Sequence, residues 1–486
     1  MKKILAFILC LILALGCSGM TALADEEPTE LVIGFFSLNG VPNDLQMVID
    51  AVNEITIPEI GVKLVDPVVA NFGNYHEQLN LILSGNEQFD TFMCWGSYWL
   101  NYYNKGQLIE LDDLLAEYGQ GIVDAIGEEW LQAGRIGGHQ YGLTTNRDLA
   151  VTRGFVLLKD ICDKYDINPD ELKTLDDMAA VFQTIKDNEP GMIPVTGSSG
   201  GNKLLDTICT FDSLSDNLGV LMNYGAEPVV VNYFDTDEYE NYCRYFRQWY
   251  LNGYVPESVM TSSDNTNPQM TAGRLFANLS NIKPGFDTKQ SAVVQREVVS
   301  VPMVEVNTNT SIVQQCQWYI AANCEHPDKA MQFLNMMYSD ARIANLLSWG
   351  IEGVHYEVKE SGLIGYPEGV TVDNSGYNLN MGWAFGNQYI THIWEGDPLS
   401  LYDDLKAFNE SAVKSCAFGF TWDPTPVKTE VAALNNVLDE YRCGLEWGVL
   451  DPDTALPEFR AKLKAAGIDK VVEEKQRQLD AWLETK

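Results

Sequence analysis

Apolar and polar positions alternate with two periods along the first hundred residues. Leu31-Val32-Ile33-Gly34-Phe35-Phe36 is a short run rich in β-branched and aromatic side chains, which predicts a strand, and Ser37-Leu38-Asn39-Gly40 predicts a turn after it. Asn43 then stands as an N-cap ahead of Leu45, Val48, Ile49 and Val52 at helical spacing, with Pro58 expected to end the helix. A second strand over Val62 to Val69, a helix from Tyr75 to Leu83 and a third strand from Phe89 to Cys94 complete a β-α-β-α-β order. Such alternation predicts an α/β lobe with a mostly parallel sheet, because parallel neighbours need crossover connections. Ligands of such sheets sit beyond the strands' carboxyl ends. The loops after the first and third strands are therefore expected at one rim, with Asn39 close to Trp95, Tyr98 and Trp99.

The pattern resumes further on. Phe155 to Leu158 reads as a strand, and Thr174-Leu175-Asp176-Asp177 opens a helix as a capping box with Asp in the third position. Asn188-Glu189-Pro190-Gly191 stops that helix, and Ile193-Pro194-Val195 leads into a Gly/Ser loop from Gly197 to Gly201, so a second α/β lobe is implied. Between His326 and Tyr338, Pro327 occupies a first-turn position and Ala330, Phe333, Leu334 and Met337 share a face. Ser339 is expected to cap the next helix, which ends near Trp349-Gly350-Ile351-Glu352-Gly353. From Val431 onward the chain reads as helical, with Pro452 and Pro457 as breaks. There is no internal repeat and no low-complexity tract.

Length supports the two-lobe reading, since 486 residues exceed one ordinary core. Apolar residues at 46% with charged residues at 21% exclude a disordered chain. Lys2 and Lys3 precede an apolar run from Ile4 to Leu15 that is too short to span a bilayer, which predicts a signal peptide over 1–24. Ala22-Leu23-Ala24 offers signal-peptidase cleavage, while Ala14-Leu15-Gly16-Cys17 offers a lipid anchor on Cys17 with Ala in place of the usual Leu. Either route places the mature protein outside the cytoplasm. The net charge of −36 opposes binding to nucleic acid and to anionic lipid. Eight of the ten Cys lie beyond Ala24 and none forms a C-x-x-C pair; settings such as Phe92-Met93-Cys94-Trp95 predict buried thiols, with any pairing left open.

Candidate chemistry centres on aromatic rings beside planar polar groups. Sugars present C–H faces that flat rings cover and hydroxyls that demand paired donors and acceptors. Trp95, Trp99, Trp318, Trp349 and Trp383, with Tyr98, lie where a predicted element gives way to a polar or Gly-containing loop, although each also fits a packing role. Asn146, Arg147 and Asp148 form a polar run that faces a cleft or caps the next element; Asn39, Glu352 and Asn387 complete the candidate set. Gly197-Ser198-Ser199-Gly200-Gly201 satisfies G-x-S-x-G, for which His326, His355 and His392 are the histidines available downstream, but Gly/Ser loops arise readily by chance. No H-x-x-x-H pair or EF-hand loop occurs, so no metal and no cofactor is expected.

Tyr141-Gly142-Leu143-Thr144-Thr145-Asn146-Arg147-Asp148, Ala321-Ala322-Asn323 to Met337, and Trp349-Gly350-Ile351-Glu352-Gly353 with His355-Tyr356 together resemble the extracellular solute-binding proteins of bacterial carbohydrate ABC importers, in particular the larger lipoprotein-like members. The resemblance implies a periplasmic-binding-protein-like fold of two α/β lobes with a hinge between them. Lobe I would comprise 30–146 with 309–357, and lobe II 147–308 with 358–486. It further implies a non-enzymatic monomer that captures a sugar or short oligosaccharide between its lobes and delivers it to ABC permease subunits in the membrane. The competing readings are an exported carbohydrate-active hydrolase and a carrier of peptides or polyamines.

Overall fold

The computed structural model describes residues 27–85, 87–197, 204–261 and 265–486. The leader, Cys17 and Ser198 to Gly201 of the G-x-S-x-G run lie outside the described residues. Nine strands build the two main sheets: β1 (Ile33–Ser37), β2 (Val68–Asn71), β3 (Thr91–Trp95), β4 (Leu143–Thr144), β5 (Thr152–Leu158), β6 (Ile193–Thr196), β7 (Leu275–Ile282), β8 (Val298–Pro302) and β9 (Cys316–Ile320). The first sheet has the order β2-β1-β3-β9-β4 and the second β6-β7-β5-β8.

Two separate apolar cores follow these sheets. One joins residues between Leu31 and Leu143 to residues between Cys316 and Phe385. The other joins Phe155 through Val301 to Ala417 through Leu479. These are the two α/β lobes. The expected boundary at 357 departs from this packing in one stretch: Tyr377, Leu379, Met381, Ala384 and Phe385 lie in the first core, with Phe385 edge-on to Phe35 at 5.1 Å.

The sheets are mixed. β1 pairs in parallel with β2 and β3, as the β-α-β-α-β order requires. β9 is antiparallel to β3, with Cys316 opposite Trp95. The chain has by then returned from the second lobe, so it enters the sheet at the rim where β3 ends and can only run backwards along it. In the second lobe β5 is antiparallel to both β7 and β8.

Several expected boundaries moved for identifiable reasons. The first helix, α1, spans Leu45–Ile60 with Asp44 rather than Asn43 at its start; Pro58 is tolerated in its last turn, and the stop is Gly61 in a left-handed conformation, its N–H bonded to Ile57 O. The stretch from Val62 to Val69 is split by Asp66, at φ +41°, into Val62–Leu64 and β2. The next helix, α2 (Phe72–Leu83), starts at an Asn71 cap. The Thr174–Asp177 capping box forms in full and opens α3 (Leu175–Asn188). Ser339 closes α4 (Pro327–Ser339), and Asp340 caps α5 (Ala341–Trp349) by accepting from Arg342 N–H. In the tail, α6 (Lys428–Glu446) is followed by α7 (Pro452–Ala466), which Pro452 starts and which runs through Pro457; Gly467 separates it from α8 (Ile468–Leu483). Pro457 is tolerated because the carbonyl it would crowd, that of Asp453, lies in an exposed first turn.

Gly154 lies in β5 where that strand meets β8; a Cβ there would sit 2.0 Å from Val301 O, which is backbone that cannot step aside. Gly154→Ala is therefore expected to destabilise the second lobe by about 2 kcal/mol, read as a lower urea midpoint at unchanged slope.

Candidate functional site

The carboxyl ends of β1 and β3 lie side by side, and an aromatic cluster grows from them. Trp95, the last residue of β3, is half-buried and meets Phe36 and Phe72, each at 6.0 Å between ring centroids, and Trp383 at 5.6 Å. Phe72 is exposed because Asn71 caps α2 by accepting from Gly73 N–H, which sets Phe72 at the first helical position beyond β2. Trp383 arrives from a short turn, Gly382–Ala384. Gly382 fits against Trp349, whose Cζ2 would be 2.8 Å from an added Cβ. Trp349 in turn stands edge-on to Trp394 at 5.9 Å, and Trp394 meets Tyr366 at 4.8 Å. The result is two groups of rings, Phe72–Trp95–Trp383 and Trp349–Trp394–Tyr366, which adjoin where Gly382, next to Trp383, packs against Trp349. The buried indole N–H groups of Trp349 and Trp394 have no acceptor among the described residues.

The structure brings Trp95 and Trp383 into contact and sets Trp349 against the neighbouring Gly382, but sorts the other candidates differently. Trp99 and Trp318 are fully buried: Trp99 stacks on Tyr319 at 5.8 Å, and Trp318 donates to Ala384 O at 2.7 Å. Both belong to the core of the first lobe, because Trp99 begins a helix that turns inward and Trp318 sits mid-strand. Asn39 is exposed at the rim, but its amide donates to Asn378 O. Glu352 is exposed in the turn after α5. Asn387 is buried and structural, donating to Tyr338 O and accepting from Tyr389 N–H.

Tyr98 is exposed and stacks on His76 at 3.9 Å with the rings 10° from parallel. Burial lowers the His76 pKa to about 4, below its ordinary 6.5, so the unfolded chain takes up a proton first as pH falls. Stability contributed by neutral His76 is thus complete above about pH 6.5 and is lost as pH falls towards 4. His76→Gln should flatten the pH dependence of the urea midpoint across that window.

Asn146, Arg147 and Asp148 occupy a crossing between the lobes. Asn146 pairs with the returning chain through its N–H to Gly386 O at 2.7 Å, and its side chain donates to Ala125 O. Arg147 is buried and donates to Asp148 O and Ile312 O. The Asp148 carboxylate accepts from Lys283 of β7's continuation at 2.8 Å; burial pushes its pKa up, but Lys283 and Arg147 outweigh that and hold it below the usual range. Asn409 fastens the same crossing, accepting from Leu149 and Ala150 N–H and donating to Arg147 O. These three candidates act as connectors here.

Sequence reasoning did not find the second inter-lobe feature, a cavity of about 730 Å³ lined by Tyr103, Arg135 and Gly137 from the first lobe and by Phe420, Arg477 and Trp482 from the second. Its two walls are hundreds of residues apart, so no local signal marks it. Eight cysteines fall in the described residues, and no disulfide forms among them; Cys94, Cys162, Cys209, Cys243 and Cys316 are buried. Among the described residues no helix is long and apolar enough to cross a membrane.

Two α/β lobes linked by repeated crossings, with rings gathered at the carboxyl ends of the first sheet's strands, define a two-lobed solute-binding protein. The chain belongs to the bacterial extracellular solute-binding protein family, whose description matches residues 43–342, and residues 416–484 match a domain of unknown function. A carbohydrate ABC transporter substrate-binding protein of Streptococcus pneumoniae is 24% identical over 476 residues, covering 96% of this chain and 94% of that protein. The crystal structure of an N-glycan transport solute-binding protein from Streptococcus pneumoniae superposes with a TM-score of 0.83 at 22% identity, covering 94% of this chain and 99% of that one. A Streptococcus pneumoniae ABC-transporter substrate-binding protein in complex with kestose gives a TM-score of 0.65 at 16% identity, covering 94% of this chain and 100% of that one. These likenesses establish a shared fold.

Proposed function

We propose that this protein is the capture component of a carbohydrate ABC importer, which holds an oligosaccharide between its lobes and hands it to permease subunits in the membrane. The observation that carries this reading is the ring cluster at the carboxyl ends of the first lobe's strands, where exposed Phe72 and half-buried Trp95 and Trp383 offer aromatic surface suited to sugar C–H faces, with Trp349, Trp394 and Tyr366 grouped beyond Gly382. The relatives support the same class: a similar structure, at 22% identity, is described in complex with Man5GlcNAc. The proposed division is lobe I from 30–146 and 309–390, and lobe II from 147–308 and 400–486, moving the predicted second boundary from 357 on the packing of 377–385. Export by the leader, with cleavage after Ala24 or lipidation of Cys17, belongs to the same proposal.

Capture requires the lobes to close on contacts that only the closed form makes on both sides, and it consumes no ligand. The test is calorimetry of the mature protein against mannose-containing glycans, fructans, peptides and polyamines, with the recovered ligand checked for cleavage. Saturable binding of an intact oligosaccharide supports the proposal. Binding of peptides or polyamines alone, or release of shortened sugar, replaces it with one of the two competing readings.

A further inference from the structure

Away from the aromatic rim, three metal-binding groups converge from two segments of the first lobe. Glu110 and Asp112 stand where the chain enters the helix Asp112–Tyr118, and His139 opens the second strand of the hairpin Arg135–Ile136/His139–Gln140. His139 Nδ1 lies 2.8 Å from Glu110 Oε1 and 3.6 Å from Asp112 Oδ2, and one donor atom from each residue falls within 4.8 Å of the others. Two donors on one tetrahedral zinc ion, each about 2.0–2.2 Å from the metal, are themselves roughly 3.3–3.6 Å apart. Small side-chain movements thus bring all three onto one ion.

The arrangement is held from behind. Gln140 N–H donates to Asp112 Oδ2 at 2.9 Å and Leu111 N–H donates to Gln140 O at 2.8 Å, while the fully buried Gln140 side chain donates to Leu131 O and Gly142 O. An outer donor that orients a ligating carboxylate is what metal sites use to fix their geometry. We propose that Glu110, Asp112 and His139 bind a zinc-type divalent cation that cross-links the entry to helix Asp112–Tyr118 to the hairpin 135–140. The imidazole nitrogen favours such a cation over calcium or magnesium, and three protein donors leave coordination positions for water. The same hairpin carries Arg135, Ile136, Gly137 and Gly138 into the inter-lobe cavity, so the ion would steady that wall.

The probe is ZnCl₂ alone, titrated calorimetrically into the full mature chain after chelator treatment, with CaCl₂ as a parallel arm and thermal unfolding as a second readout. One zinc per chain is expected, together with a rise in unfolding temperature. His139→Ala and Glu110→Gln should each weaken zinc binding by about tenfold or more and remove the thermal shift, whereas the neighbouring exposed Asp113→Asn should change neither. All three side chains are exposed enough for these variants to fold. Absence of zinc uptake overturns the proposal, as does uptake that survives His139→Ala and disappears on blocking cysteine thiols, or calcium binding of equal strength.

Discussion

Replacing Trp95 and Trp383 together by alanine is expected to weaken oligosaccharide binding by about 2–4 kcal/mol, roughly a 30- to 1000-fold rise in Kd, with the fold retained. The two indoles lie 5.6 Å apart between ring centroids, so removing both takes away adjoining stacking surfaces. Neither is fully buried, which keeps the cost to folding small. Each single replacement should give about half the loss, because the remaining ring still covers part of the sugar. Trp349→Ala behaves differently: Trp349 is 9% exposed and packs on Gly382 and Trp394, so both affinity and unfolding temperature should fall. Calorimetry paired with thermal unfolding separates the two effects. Unchanged affinity in a folded Trp95→Ala/Trp383→Ala protein would remove the wall from the site.

Arg442→Leu is expected to destabilise the second lobe by about 3–5 kcal/mol at pH 7. Arg442 is 3% exposed and Glu446 fully buried; the guanidinium donates to Glu446 Oε1 at 2.6 Å and to Asp206 Oδ1 at 2.7 Å. Among the described residues, Leu205 N–H, at 3.2 Å, would then be the donor left on the Glu446 carboxylate. Burial already pushes the Glu446 pKa up, with Arg442 pulling it back, and losing Arg442 leaves burial largely unopposed. An acid whose folded pKa is raised keeps its stability below the unfolded value and loses it as pH climbs through the folded one. The deficit of Arg442→Leu should therefore shrink as pH is lowered towards 4.5 and grow towards neutrality. Arg442→Leu/Glu446→Leu should recover most of the loss, since no charge then stays buried alone. Urea unfolding at pH 5 and pH 7 on the wild type, the single and the double variant measures all of this; equal deficits at both pH values would show that packing, not charge, sets the cost.

Local chemistry carried much of the fold into the sequence. The β-α-β-α-β order, the Thr174–Asp177 box and Pro327 at a helix start rest on interactions within four residues, and all are present in the structure. Trp95 and Trp383 were legible as ring-bearing residues at element ends for the same reason. Only tertiary contacts decided whether an indole faces the rim or the core: Trp95 ends a strand at the surface, while Trp99, four residues later, lies against Tyr319 of a strand that returns from the other lobe. The antiparallel entry of β9, the packing of 377–385 in the first core, the inter-lobe cavity and the meeting of His139 with Glu110 and Asp112 share that origin. Each depends on segments that are distant along the chain and become neighbours only when the lobes close their separate cores, and periodicity within a short window holds no record of that pairing.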